Sequence, residues 1–426
     1  METNKFCLKF IVGFFFLSFF FTNNANAQFT DLVDESQKQV LPDSSKTYFI
    51  PDASEKKMRW SKRDFKFMTL KLGFAPIIDY NWVIQNDESV GQVGDQESRF
   101  DIRSARVMFK GKLNFKNPWS YLIGVEYRGE DRPEGQDPFG FTDFRVVIPA
   151  GKQAEVSVGK IKETFIYEYV GDAANLPHFE RWLNPFAVTR NIGVTYKHFF
   201  LDDRMTVTGG WFNGWLTNDL NFSESANTFT GRITALPKWY NDGKQFIHMG
   251  LGLRYTEAVD GMVRLKGKNE SSISSNYVDT GDFPADDLIN LSVEQLWSLD
   301  NFSFLLEYVH SWVDTPEGYE QFKGYYLTTS YVISGDTRPY DKRSAYARRV
   351  MPDGKYGALE VVGRIGKINL DSGDINGGIN DRIDLGLNWW ATQYWKAGII
   401  WGLGHLERFD TMGVTNNILM RIQWIY

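Results

Sequence analysis

The sequence predicts an all-β chain, a transmembrane antiparallel β-barrel of about 16 strands with short periplasmic turns and long extracellular loops. Three observations predict it. Apolar residues alternate with polar or small ones in segments of about ten residues. An export signal stands ahead of them. The last alternating segment runs to an aromatic C-terminal residue, Tyr426.

Composition agrees with such a wall. Hydrophobic residues make up 42% of the chain and aromatic residues 16%, yet mean hydropathy is -0.35. A helical membrane protein would be far more apolar, and a soluble protein rarely carries 14 Trp, 20 Tyr and 33 Phe. A barrel needs both features, because its outside meets lipid and its inside meets water. The 38 glycines suit many turns and strand bends. A formal charge of -6 argues against a nucleic-acid partner, which would require a basic stripe.

Residues 1–27 read as a signal peptide. Lys5 and Lys9 precede an apolar run from Phe10 to Phe21, and Ala25-Asn26-Ala27 supplies an A-x-A cleavage pattern. The run is too short to cross a bilayer, which takes about twenty residues. The mature chain is expected to begin at Gln28. Cys7 is the only cysteine and leaves with the signal, so disulfides, thiolate metal sites and cysteine nucleophiles are excluded. Past Ala27 no apolar run approaches helix-spanning length, and a closed barrel is the remaining way across a membrane. Residues 28–62 are polar without a sustained period and read as a periplasmic N-terminal extension. Residues 63–426 form the barrel.

The period of two is clean in several segments. Met249, Leu251, Leu253 and Tyr255 alternate with His248, Gly250, Gly252 and Arg254. Ile192, Val194 and Tyr196 alternate with Asn191, Gly193 and Thr195, and Ile383, Leu385, Leu387 and Trp389 with Arg382, Asp384, Gly386 and Asn388. In the last strand Ile418, Met420, Ile422, Trp424 and Tyr426 should face lipid, and Arg421 and Gln423 the lumen. Trp389-Trp390, Trp395, Trp401 and Trp424 fall near strand ends, where rings suit the headgroup level. Short connections are expected at 116–119, 201–204 and 299–301. Long polar ones are expected at 84–98, 128–141, 213–245, 257–287 and 335–356, all on the opposite rim.

Little in the chain suggests chemistry. The histidines His178, His198, His248, His310 and His405 show no metal-ligand spacing. There is no G-x-S-x-G elbow, and no Walker or dinucleotide motif. His310-Ser311 with Asp314 could form a rim hydrolase group, but a strand-end histidine accounts for the same residues. No enzyme, metal or cofactor is expected.

Basic residues are more telling. Arg99, Arg103, Arg106, Lys110 and Lys112 crowd one strand, and Lys160 and Lys162 another. Arg145, Arg254, Arg364, Arg382 and Arg421 fall on polar faces elsewhere. Guanidinium and ammonium groups along a narrow lumen would give an anion a low-energy path. The competing reading is wall ion pairs, since Asp101, Asp143, Glu155, Glu360 and Asp384 share these faces.

Four stretches, in 102–111, 158–165, 179–194 and 331–341 with 357–373, together make the chain resemble the phosphate-selective porins O and P over about residues 65–426. Arg103-Ser104-Ala105-Arg106 followed by Gly111 looks like the family's R-x-A-R strand. VGKIKETF (158–165) is similar to its G-x-x-K-x-P-F, with Thr164 in place of the proline. FERWLNPFAVTRNIGV (179–194) is similar to its F-x-E-R region. YVISGDTRPYD (331–341), then GALEVVGRIGKINLDSG (357–373), looks like its L-T-G-E-x-R-x-Y region. The resemblance implies a bacterial outer-membrane porin of sixteen strands, a homotrimer, with loops folded inward to a basic constriction. It implies passive diffusion of small anions, phosphate or polyphosphate among them. It makes Arg103, Arg106, Lys160, Lys162, Arg181, Arg190, Arg338 and Arg364 candidates for the channel wall. Expected partners are outer-membrane lipid, small anions such as phosphate, and the barrel assembly machinery, which would read the closing strand. A general porin, or a loop-plugged barrel acting as a surface-binding or scaffold protein, are the alternatives.

Overall fold

A computed structural model describes residues 61–127, 139–214 and 226–426. The expected signal peptide and nearly all of the expected extension lie outside the described residues. Sixteen antiparallel strands form the wall. They are β1 Thr69–Gln85, β2 Arg99–Leu113, β3 Trp119–Tyr127, β4 Phe139–Pro149, β5 Ala154–Ile161, β6 Asn191–Phe200, β7 Met205–Phe212 and β8 Thr228–Tyr240. The second half is β9 Gln245–Glu257, β10 Asp287–Leu299, β11 Phe302–Thr315, β12 Gly318–Val332, β13 Ala358–Ser372, β14 Ile375–Trp390, β15 Trp395–Arg408 and β16 Thr411–Trp424.

Each strand pairs with its chain neighbour, and β1 pairs with β16 from Ile77↔Gln423 to Gln85↔Thr415. That pairing closes the barrel and leaves no open edge in the bilayer. The C-terminal residue lies in the seam: Tyr426 N–H donates to Phe74 O at 2.8 Å, and Phe74 N–H to Tyr426 O at 3.1 Å.

The alternation read from the sequence sets the faces. Ile383, Leu385, Leu387 and Trp389 are exposed on the outside of β14, while Arg382, Asp384 and Asn388 are buried inside. On β16, Met420 and Ile422 point out, and Arg421 and Gln423 point in. An aromatic girdle follows one rim, where Trp424 stacks on Trp395 at 5.7 Å and on Phe74 at 6.2 Å. On the other rim Tyr80 meets Phe100 at 4.7 Å.

The connections depart from expectation in three ways. Segment 333–357 is long, but it leaves from the same rim as the short turns 201–204 and 241–244. Its polar residues are satisfied within the protein: Asp341 accepts from Arg348, and Arg343 pairs with Asp203 of the rim turn 201–204 at 3.0 Å. Polarity alone cannot separate such a segment from an extracellular loop. Conversely, 316–317, 373–374 and 409–410 are two-residue hairpins on the long-loop rim. Phe409 and Asp410 both take positive φ, of 56° and 58°, as a tight hairpin of type I′ demands. The span 213–245 also contains β8 and so is not one loop. Within 84–98 a short helix, α1 Asp87–Val93, is capped by Asn86 and docks on the β15–β16 hairpin, where Gln92 Nε2 donates to Arg408 O and Thr411 O.

Three segments enter the lumen: 162–190 and 258–286 from one rim, and 333–357 from the other. Phe165, Ile166, Leu183 and Phe186 pack with Val309, Val313 and Phe322 of β11 and β12 in one buried apolar cluster. Part of the lumen is therefore a dry core, which covers the apolar inner residues Leu305, Val309 and Val313 of β11.

Candidate functional site

A cavity of about 680 Å³ lies inside the barrel between β1–β5, β16 and the inward segments. Nine cationic side chains line it. Arg103, Arg106, Lys160 and Arg421 come from the wall, and Arg181, Arg190, Lys266, Lys268 and Arg349 from the inward segments. Four carboxylates join them: Asp101, Glu126, Asp172 and Glu180. Asp79 and Asp143 lie just behind, on Arg421 at 2.6 Å and Arg190 at 3.1 Å. With both counted, the cations remain in excess by three.

The pairs are specific. Arg103 holds Glu180 through a fork, Nε to Oε1 at 2.7 Å and Nη2 to Oε2 at 2.9 Å. Arg106 Nη2 donates to Glu126 Oε1 at 2.9 Å. Arg181 donates to backbone carbonyls, Glu168 O at 2.7 Å and Gly171 O at 3.1 Å, with its guanidinium over the Tyr169 ring at 4.5 Å. Arg349 likewise donates to Gln393 O and Ile425 O. Carbonyl dipoles orient these two cations without cancelling a full charge. Burial pushes the Glu180 carboxyl up, but Arg103 and Arg421 outweigh it and hold that group down to about 2. It is a carboxylate throughout the physiological range.

The eight residues singled out from the sequence divide into three groups. Arg103, Arg106, Lys160, Arg181 and Arg190 meet around the cavity. Lys162 sits one layer out, donating to Val170 O, Gly171 O and Asp172 Oδ1. Arg338 and Arg364 are buried away from the cavity and fasten the inward segments. Arg338 pairs with Glu360 on β13 and donates to Asn175 O at 2.8 Å. Arg364 grips Asp384 at 2.8 Å, Glu270, and Glu180 O at 3.1 Å. Lys266, Lys268 and Arg349 escaped the sequence reading because they lie in connections with no period to mark a face.

Wall glycines make room for the inward segment. A Cβ on Gly324, Gly366 or Gly398 would come within 2.7 Å of Phe186, 2.6 Å of Trp182 or 2.9 Å of Phe179. Gly366→Val is expected to push Trp182 off the wall, costing about 1–3 kcal/mol of overpacking and changing single-channel conductance. An unaltered conductance would show that this contact does not shape the open path.

The histidine group weighed above does not assemble. Ser311 is buried on the inner face of β11. His310 bonds with Tyr308 OH and Gln321 Oε1 and stacks on Trp312 at 4.2 Å on the outer face. Among the described residues, no cluster of His, Cys, Asp or Glu is arranged to hold a metal ion.

A closed sixteen-stranded wall, apolar toward lipid and charged around an internal cavity, is the architecture of an outer-membrane channel of the porin class. The chain belongs to the phosphate-selective porin O and P family, which it matches over residues 77–408. Its place is the bacterial outer membrane, and family and fold point to a channel rather than an enzyme. Solved structures agree in fold. The anion-selective porin from Comamonas acidovorans is 10% identical with a TM-score of 0.54, covering 84% of this chain and 100% of that one. The outer membrane channel DcaP of Acinetobacter baumannii is 10% identical at 0.54, covering 85% and 99%. The trimer form of OmpT from Vibrio cholerae is 10% identical at 0.52, covering 85% and 100%. No curated protein matches the sequence.

Proposed function

We propose that this porin passes small anions passively, with phosphate and related oxyanions as its substrates. The observation that carries the reading is the excess of cations around the cavity. Ammonium and guanidinium groups lower the energy of an anion in a narrow, partly desolvated space. Guanidinium forks also suit the paired oxygens of an oxyanion better than they suit chloride. The family's name supports phosphate within that class.

Reconstituted in a planar bilayer under a salt gradient, the protein is expected to show a reversal potential of anion preference. Phosphate should reduce its chloride current. Cation preference without phosphate block would sink the reading, and equal passage of both ions would leave a general porin. We further propose export through the 1–27 leader, insertion guided by the closing strand, and assembly into trimers, for which the trimeric Vibrio cholerae neighbour offers support. Unheated gels of the purified protein should then show a species that dissociates to monomer on heating.

A second reading has its own observation. Inward segments from both rims and the apolar cluster between them fill part of the lumen. A barrel sealed in this way would act as a surface-binding or scaffold protein. Correctly assembled protein with no single-channel steps selects it.

A further inference from the structure

Glu180 differs from the other acids of the cavity. Glu126 sits on the wall beside its partner Arg106. Asp79 also sits on the wall and takes Arg421 by a fork, at 2.7 Å from Nε and 2.6 Å from Nη2, so Arg421 is already offset. Glu180 instead rides on the inward segment 162–190, as Asp172 does, but Asp172 pairs within that segment, with Lys162 at 3.1 Å, while Glu180 crosses to the wall. Its side chain lines the cavity, 15% exposed, and reaches out to Arg103 and to Arg421 Nη2 at 2.7 Å.

Its backbone is fastened independently. Glu180 N–H donates to Glu270 Oε1 at 3.1 Å, and its C=O accepts from Arg364 Nη1 at 3.1 Å. The carboxylate can therefore swing away by side-chain torsions alone while the segment stays in place. Against Arg103 it presents two oxygens to a guanidinium fork, which is also the edge that a phosphate or a small carboxylate would present.

We propose that Glu180 is a tethered competitor for the permeating oxyanion, which gains the Arg103 fork only by displacing the Glu180 carboxylate. The inference rests on the anion-channel reading. Its physical sense lies in the demand that a channel bind its ion well enough to admit it and weakly enough to release it. A guanidinium fork left open in a narrow lumen would hold an oxyanion for long dwells. A carboxylate on a short leash returns to the fork and shortens them.

The test uses the full chain in planar bilayers with potassium chloride and added inorganic phosphate. E180Q keeps the side-chain volume and removes the charge. The expected result is a fall of about tenfold or more in the phosphate concentration that halves the chloride current, as gaining one charge-assisted hydrogen bond would give. Blocked intervals should lengthen with it. The double variant E180Q/R103Q should lose that gain, because the fork is gone. Phosphate block in E180Q that matches the wild type, or a gain that survives in the double variant, overturns the inference alone. A wild type with neither anion preference nor phosphate block fails the reading beneath it. Loss of assembly in E180Q, seen as missing heat-dependent gel mobility, overturns the inference too, since the carboxylate would then be an anchor and not a competitor.

Discussion

Arg364→Ala is expected to lower barrel stability by about 3–5 kcal/mol, the usual penalty for removing one partner of a buried ion pair. Arg364 is 4% exposed, and both of its acidic partners are buried. One, Asp384, is its neighbour on β14, and the other, Glu270, belongs to segment 258–286. A further bond reaches Glu180 O on segment 162–190, and the guanidinium lies 5.4 Å from the Trp182 ring. One wall residue thus fastens both segments that descend from the long-loop rim. Its loss leaves Glu270 facing Asp384 with one ion pair between them, that of Arg382 Nε with Asp384 at 2.6 Å. The destabilisation should be read from the urea midpoint of the lipid-embedded protein. A second signature should accompany it: larger, noisier single-channel steps, because segments that narrow the lumen are released. A variant with a normal midpoint and quiet channels would show that the segments are held by the apolar cluster alone. Arg338→Ala should act in the same direction on segment 333–357, through Glu360 and Asn175 O.

The wall was readable from the sequence because its determinant is local. Whether Ile383 or Asp384 faces lipid depends on their parity along one strand, and the period of two states it outright. The inward face of Arg421 follows in the same way. The interior was less readable because its determinants are distant. Arg364 shows no local sign that Glu270, far along the chain, completes its site. The apolar inner residues Val309 and Val313 break the simple rule of a polar lumen, since segment 162–190 covers them. Segment 333–357 has the polar composition of a surface loop, and only the parity of the strands before it shows which rim it leaves from. The family likeness grouped Arg338 and Arg364 with Arg103 and Arg106 of β2 as candidates for the channel wall. Those four come from three separate stretches, and their surroundings differ: Arg338 and Arg364 are buried against Glu360, Glu270 and Asp384, while Arg103 and Arg106, though paired with Glu180 and Glu126, also line the cavity.

Ile383→Arg is expected to cost about 2–4 kcal/mol in folding into a bilayer, and Ile422→Arg no more than about 1 kcal/mol. Both residues are exposed on the outer face, so exposure does not separate them. Depth does. Ile383 lies in the middle of β14, between Ile365 of β13 and Leu403 of β15, all three at the same height on the wall. A guanidinium there sits in hydrocarbon with no polar group in reach. Ile422 is two residues from Trp424, whose ring stacks with Trp395 in the rim girdle. An arginine at 422 can extend along the strand and place its charge among headgroups. The closing strand, which carries the pairing with β1, is therefore the more tolerant of the two. Equilibrium unfolding by urea from phospholipid vesicles would measure both costs. Equal penalties would mean that the Trp424 girdle does not mark the membrane boundary, and that the bilayer sits closer to the C-terminal rim than the aromatic rings imply. Gln423→Arg offers the control on the inner face: Gln423 donates to Ala174 O at 2.9 Å, so its replacement should disturb segment 162–190 and conductance while leaving the lipid contact unchanged.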